Sequence, residues 1–415
     1  MKILFTQDAL VNAGAERSHL EILSRFSRET EVALVYFYPK HELKEEYERT
    51  GIRLFFLNIP ETYHFPLAVS RLVRLIRKEK PDLLISSLWR ADIITRIASL
   101  LTGIPLVGTL VNDSYSPIAW TDKKGLKYKL VYWLDRLTAG IPIHWIANAQ
   151  ALADSHVKTL GLKSKKITVV YRGRPVIGKE ERLKQSLTVE ETASPADGTE
   201  INSDFPKCSL AVTRNFISYG RLLERKGFQD AIQAFSQVLQ SQPDCTLTIF
   251  GEGPFRKELE KQIQHLGLQD SVFLPGKITN PTELLLVRDV EQPKSEIRYP
   301  KSFNCFLFPS WYEGFSGALV EAMMAGIPII ASDIPMNLEA VTNGKTALTF
   351  KVGNPQELAE KITFAIRHPD QMAILGQEAR REAEERFDIE KIAKEYERVV
   401  RRLAPPRPSP QGEGE

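Results

Sequence analysis

The chain has 415 residues, 43% apolar and 26% charged, which is ordinary for a soluble globular protein and enough for two buried cores. Its net charge of +3 conceals a split: residues 1–182 carry 28 Lys and Arg against 19 Asp and Glu, and the remainder carries 27 against 33. The first part is suited to an anionic partner, but no basic stretch interleaved with aromatics marks a nucleic-acid site.

Cys208, Cys245 and Cys305 lie far apart beside apolar runs, without metal-ligand spacing or a disulfide framework. They read as buried thiols in a reducing compartment. The apolar run in the opening MKILF is too short for a signal peptide, and Arg90, Asp92 and Arg96 interrupt the apolar stretch 83–111, so it is no membrane span. A cytoplasmic protein is the expectation.

In chain order, β-rich runs at 2–6, 31–37, 54–57, 83–86, 106–111, 144–147 and 167–171 alternate with amphipathic stretches such as 16–27 and 67–80. This is the rhythm of a parallel sheet covered on both faces. It breaks at 178–206, a polar stretch poor in aromatics that reads as a flexible insertion. It resumes with runs at 215–220, 246–251, 272–275, 305–309, 329–332 and 347–350, between helical patterns at 227–241, 255–267 and 318–325. Residues 287–302 read as an inserted surface loop, and a long helical pattern covers about 355–403. The predicted class is α/β, with a Rossmann-like domain over 1–177, the insertion over 178–206, a second Rossmann-like domain over 207–385, a closing helix over 386–403 and a disordered tail over 404–415. Two doubly wound domains imply a central cleft, with ligands beyond the carboxyl ends of the strands.

Four motifs follow strands. Glu313-Gly314-Phe315-Ser316-Gly317 leads into a helix that contains Glu321. Its glycines allow close backbone approach, and the free N–H groups of the helix start suit a diphosphate. Glu321, about one turn further on, can accept from ribose hydroxyls, and Glu313 can reach a sugar. Gly220-Arg221 through Lys226 presents two cations, which would stabilise the charge of a departing nucleoside diphosphate; Arg225 is a third candidate. Gly251-Glu252-Gly253-Pro254 is a fragment of a dinucleotide fingerprint, but without its third glycine or acidic partner it reads better as a tight strand–helix turn. Gly14, after Asn12-Ala13, opens a helix that could contact a distal phosphate or the sugar, or be a plain helix start. No Asp-x-Asp clamp, HExxH or GxxxxGK loop occurs, so a diphosphate would be neutralised by side chains and helix ends rather than by metal.

These motifs in this order resemble the family-four retaining glycosyltransferases of the GT-B fold. The stretch FPSWYEGFSGALVEAMMAGIPIIASDIP is similar to the family signature, and Glu313 and Glu321 meet its E-x7-E pattern. GRLLERKG, GEGPFRKEL, VFLPGKI, NAGAER and IANAQALADSHV…ITVVYRG complete the resemblance to about Leu403. It implies that Arg221 and Lys226 bind the diphosphate and Glu321 the ribose. Glu313 and the backbone of Gly314, Phe315, Ser316 and Gly317 would hold the donor sugar, with Gly220 beside it and Gly276 and Lys277 near the base. It implies a nucleoside-diphosphate sugar, UDP or GDP, as donor, with no cofactor and no divalent metal. Attack would be front-side, within a short-lived ion pair, and the last helix would return to the first domain. Many relatives carry a His after the strand matching 106–110; this chain has Val111 there, and Asn112 is left to supply that hydrogen bond.

The acceptor side falls to the first domain, where 67–80 and 123–137 combine Lys and Arg with apolar residues at helical spacing. Such helices can lie on anionic lipid, or can pack their apolar stripe on the sheet and leave the basic face solvated. The expectation is a lipid-linked or envelope glycan acceptor and peripheral contact with the inner face of the membrane. The alternatives are a degenerate nucleotide-sugar-binding protein and another GT-B enzyme such as a sugar-nucleotide epimerase.

Overall fold

A computed structural model of the chain describes residues 1–61, 64–121, 125–176, 214–278, 284–285 and 304–405. The expected insertions at 178–206 and 287–302, Cys208 and most of the expected tail lie outside these residues. The chain divides into two units. The first comprises Met1–Gly173, Tyr312–Gly317 and the residues from Ile389 on; the second comprises Arg174–Trp311 and Ala318–Asp388.

In the first unit β1 (Lys2–Gln7), β2 (Glu31–Tyr36), β3 (Arg53–Phe56), β4 (Leu83–Ser87), β5 (Leu106–Leu110), β6 (His144–Ala147) and β7 (Ile167–Val169) form one sheet. Their order is β3-β2-β1-β4-β5-β6-β7, and every neighbouring pair is parallel. Alternate residues point to opposite faces, so a strand buried on both sides must be apolar throughout. In β1, Ile3 and Phe5 join a core with Ile389, Ile392, Tyr396 and Val400 of the last helix, Ile389–Leu403. Leu4 between them joins the opposite core, with Ala68, Leu72 and Ile76 of helix Phe65–Glu79 and Ile94 and Ala98 of helix Trp89–Thr102. Each such side chain contributes about 1.5–3 kcal/mol when fully buried.

The second unit repeats the plan. Strands β8 (Asn215–Tyr219), β9 (Thr246–Phe250), β10 (Val272–Gly276), β11 (Cys305–Phe308), β12 (Ile329–Ser332) and β13 (Leu348–Phe350) run parallel in the order β10-β9-β8-β11-β12-β13. Phe216, Leu247, Ile249 and Leu307 pack against helices Phe228–Val238 and Pro355–Arg367. Cys245 and Cys305 are buried free thiols, and burial pushes the first up to about 11.

The long pattern expected over 355–403 is three helices: Pro355–Arg367, Pro369–Arg386 and Ile389–Leu403. Pro369 has no N–H to continue the first ladder and starts the second helix instead. Among the described residues, no helix is long and apolar enough to cross a membrane.

Candidate active site

In a doubly wound sheet the crevice lies where the strand order reverses. That point falls between β8 and β11 in the second unit and between β1 and β4 in the first.

In the second unit, β8 ends at Tyr219 and passes through Gly220 and exposed Arg221 to the short 3-10 turn Glu224–Lys226. The Lys226 ammonium lies 5.8 Å from the ring centre of Phe308, the last residue of β11. It also lies 3.8 Å from where a Cβ on Gly220 would sit. A fixed cation therefore stands at the exits of both switch-point strands. Two neighbouring loops brace this one. Gly220 donates to the Phe250 carbonyl at 3.0 Å, Leu222 to that of Glu252 at 3.0 Å, and Gly251 to that of Gly276 at 2.8 Å. A Cβ on Gly251 would stand 1.9 Å from the Gly220 oxygen, and one on Gly253 would stand 2.2 Å from that of Leu222. Close loop packing thus accounts for these glycines, as the tight-turn reading has it. Gly276 enters the same stack through its carbonyl, and Lys277 beside it is exposed.

Glu321, on helix Gly317–Ala325, has both oxygens engaged. Arg174 Nε donates to Oε1 at 2.6 Å and the Tyr219 hydroxyl donates to Oε2 at 2.8 Å. Burial first, then the Glu321 charge and this hydrogen bond, push the Tyr219 hydroxyl well above its ordinary value, so it stays a donor. A carboxylate has about four acceptor positions, so Glu321 retains capacity for a ligand diol. Arg174 and Tyr219 received no role from the sequence. The available signal was two arginines, Arg172 and Arg174, just past the end of a strand.

The first unit holds the remaining candidates. Glu313, Gly314, Phe315, Ser316 and Gly317 are buried. A Cβ on Gly314 would stand 2.0 Å from the Val111 carbonyl oxygen, beyond β5, and 3.6 Å from Asn112 Cα. Phe315 donates its N–H to Asn148 Oδ1 at 3.3 Å, while Asn148 Nδ2 donates to the Val111 oxygen at 3.4 Å. That N–H is therefore occupied within the protein. The Phe315 ring lies 5.0 Å from that of Tyr171. Val111 thus serves this loop through its backbone, and Asn112 stands exposed beside Gly314. At the start of helix Gly14–Leu23, Arg172 Nη1 lies 3.3 Å from where a Cβ on Gly14 would be.

The first unit's own switch point is polar and buried. Ala91 donates its N–H to Asp8 Oδ1 at 2.7 Å, and burial raises Asp8 to about 6 despite this bond and Arg90. His19 lies between Gln7 and Ser87, 3.2 Å from each. Burial and the Arg172 charge lower its pKa to about 3, so it is neutral at physiological pH. Leu88, after β4, has φ +75, a conformation costly for a side chain of its kind. His144 bonds to Thr168 and His156 to the Leu152 carbonyl, so both rings are engaged within the fold.

The pattern of sequence and fold has direct counterparts. The family described as Glycosyl transferases group 1 matches residues 212–382, and Glycosyltransferase Family 4 matches residues 13–176. The chain belongs to the family-four glycosyltransferases of the GT-B fold. It is 25% identical over 329 residues to the capsular polysaccharide biosynthesis glycosyltransferase CapM of Staphylococcus aureus, covering 79% of this chain and 78% of that one. It is 27% identical over 280 residues to the UDP-Gal:alpha-D-GlcNAc-diphosphoundecaprenol alpha-1,3-galactosyltransferase of Escherichia coli, covering 66% and 63%. In fold it is similar to Anabaena HepE, crystallised with UDP-glucose, with a TM-score of 0.74 at 23% identity over 97% of this chain and 100% of that one.

Proposed function

We propose that this glycosyltransferase moves a hexosyl group, with retention of configuration and without a divalent metal, from a UDP-sugar to a lipid-linked or polysaccharide acceptor in the cytoplasm. The reading rests on Glu321, held by Arg174 and Tyr219 at the switch point where Lys226 also lies. UDP is favoured over GDP because the Anabaena structure contains UDP-glucose and the Escherichia coli relative is named for UDP-Gal. The acceptor class follows the capsular and diphosphoundecaprenol names of the relatives.

In this mechanism Glu321 takes the ribose diol. Lys226 and Arg221 face the diphosphate, whose charge grows as the glycosidic bond breaks; fixed cations stabilise that charge without reorganisation. Glu313 and the backbone of Gly314, Ser316 and Gly317 hold the sugar, the Phe315 N–H being taken by Asn148, while Gly276 and Lys277 lie toward the base. The acceptor oxygen attacks the anomeric carbon from the leaving-group side and gives its proton to a diphosphate oxygen.

A thermal-shift panel of UDP, GDP, ADP, CMP and their sugar conjugates in EDTA tests the donor. The expected result is a selective rise with UDP species that Arg221→Ala and Glu321→Ala each abolish. No rise with any nucleotide would refute the reading. Product anomers observed by NMR decide retention. Val111 in place of the usual His favours one second reading, a nucleotide-sugar-binding protein without turnover. It predicts the same thermal shift with no transfer or donor hydrolysis.

A further inference from the structure

Helix Leu126–Thr138 is turned inside out. Its one buried residue is a carboxylate, Asp135, while Leu126 is 83% exposed, Leu130 69%, Trp133 55% and Leu137 78%. This orientation is fixed from the inner side. Asp135 accepts from Arg96 Nη1 at 2.6 Å and from the Tyr115 hydroxyl at 2.6 Å, and Arg96, itself fully buried, also donates to Thr138 Oγ1 at 2.8 Å. Tyr132 and Arg136 both donate to the Thr159 carbonyl, at 2.8 and 2.6 Å. Rolling the helix to bury its leucines would break a buried ion pair and these anchors together.

At about 100° per residue, Leu126, Leu130, Trp133, Leu134 and Leu137 fall within an arc of about 100°, and Asp135 lies nearly opposite its centre. Lys127 falls on one shoulder of this stripe, with Lys129 and Arg136 on the other; all three are exposed. The apolar surface continues onto the neighbouring helix Trp89–Thr102. There Leu100, one turn beyond Arg96, is 67% exposed, and Leu101 is 58% exposed. Leu101 also lines a groove of about 700 Å³ with Val69, Val73, Arg74, Arg77 and Ile97. Exposed apolar side chains gathered along one helix face, with charged margins, mark a surface that is covered when the protein works.

We propose that this face docks on an anionic lipid bilayer, with helix Leu126–Thr138 lying in the interface plane. The charge pattern selects this occupant. In-plane helices bury an apolar stripe between cationic shoulders that meet anionic headgroups, and tryptophan favours that depth. A symmetric pairing of two copies would set the same face against itself and bring lysine shoulder to lysine shoulder. The docking face shares no residue with the proposed donor site, so donor binding provides an independent control.

Vesicle flotation at 50 mM NaCl tests the proposal, using the whole chain with phosphatidylcholine alone and with a phosphatidylcholine–phosphatidylglycerol mixture. The expected result is flotation with the anionic mixture, at least tenfold weaker with the neutral lipid. Leu130→Glu/Trp133→Glu should abolish it and Lys127→Ala/Lys129→Ala weaken it, with the UDP-induced thermal shift of both variants unchanged. Wild-type protein that stays at the bottom with anionic vesicles, or a Leu130→Glu/Trp133→Glu variant that still floats, would overturn the proposal. So would a wild-type dimer in sedimentation that this variant converts to monomer without any vesicle binding, because a second copy would then be the occupant.

Discussion

Glu321 shows how a single carboxylate becomes specific. One oxygen faces a guanidinium and the other a phenol, so the side chain has one orientation left in which to receive a ligand. If it binds ribose, the contact is present in ground and transition states alike, and its loss raises KM more than it lowers kcat. Tyr219→Phe keeps the ring against Phe306 and removes only the donor. The donor KM should rise about three- to tenfold, equivalent to about 1 kcal/mol, with kcat within about twofold. Arg174→Lys should raise it further, because an ammonium does not reproduce the directed Nε bond. Steady-state kinetics on the donor, with the acceptor saturating, check both; a kcat that collapses at unchanged KM would contradict the assignment. The motif around Glu313 and Glu321 was legible because its residues are contiguous and follow a strand. Arg174 and Tyr219 were not, because they stand 147 and 102 residues from Glu321 and only the fold brings them to it. The same holds for Asn148, whose hold on Phe315 crosses 167 positions.

The strands were readable at the level of elements for one physical reason. In runs such as Ile3-Leu4-Phe5 both faces are buried, so the apolar signal is continuous. Helix Leu126–Thr138 shows the limit of such reading. Periodicity announces an apolar stripe but not the side on which the protein lies, and Asp135 paired with Arg96 settles that. The last helix is held by polar bonds as well as by its core face. Glu397 accepts from the Ser27 N–H at 3.0 Å, the Ser27 hydroxyl at 2.7 Å and the Thr30 hydroxyl at 2.6 Å, with Arg401 Nε at 3.0 Å. Burial alone would raise this carboxyl, but the bonds from Thr30, Ser27 and Arg401 outweigh it and hold the group below its ordinary value. With the folded value depressed, the stabilisation is complete above the unfolded value of about 4.5 and is lost as pH falls through the folded one. Glu397→Gln should therefore cost about 2 kcal/mol near pH 7. Thermal melts from pH 7 to pH 3 should show the gap between variant and wild type closing below about pH 4.5. A gap constant across that range would mean that the carboxylate charge contributes nothing.

Across the whole molecule, charge separates two kinds of anion binding. Residues 1–182 carry an excess of nine positive charges and the remainder an excess of six negative ones. A nucleoside diphosphate is strongly anionic, yet the crevice proposed for it belongs to the negatively charged part of the chain. The charge balance of that part of the chain does not favour it, so in the proposed site affinity comes from groups in close contact, Lys226 and Arg221 among them. Interactions at contact distance are screened weakly, because the Debye length is still about 3 Å at 1 M salt. Docking of the basic first unit on anionic lipid is the opposite case: many exposed cations act on a charged plane over a distance that salt shortens. Raising NaCl from about 50 to about 500 mM shortens that reach about threefold. Vesicle-bound protein should then fall at least about tenfold, while the donor KM in detergent-free solution rises less than about threefold. Both are measurable on one preparation. A donor KM that climbs as steeply as vesicle binding falls would mean that long-range attraction, not a preorganised crevice, brings the nucleotide in. Vesicle binding indifferent to salt would leave the leucines and Trp133 to hold the membrane alone, with Lys127, Lys129 and Arg136 as bystanders.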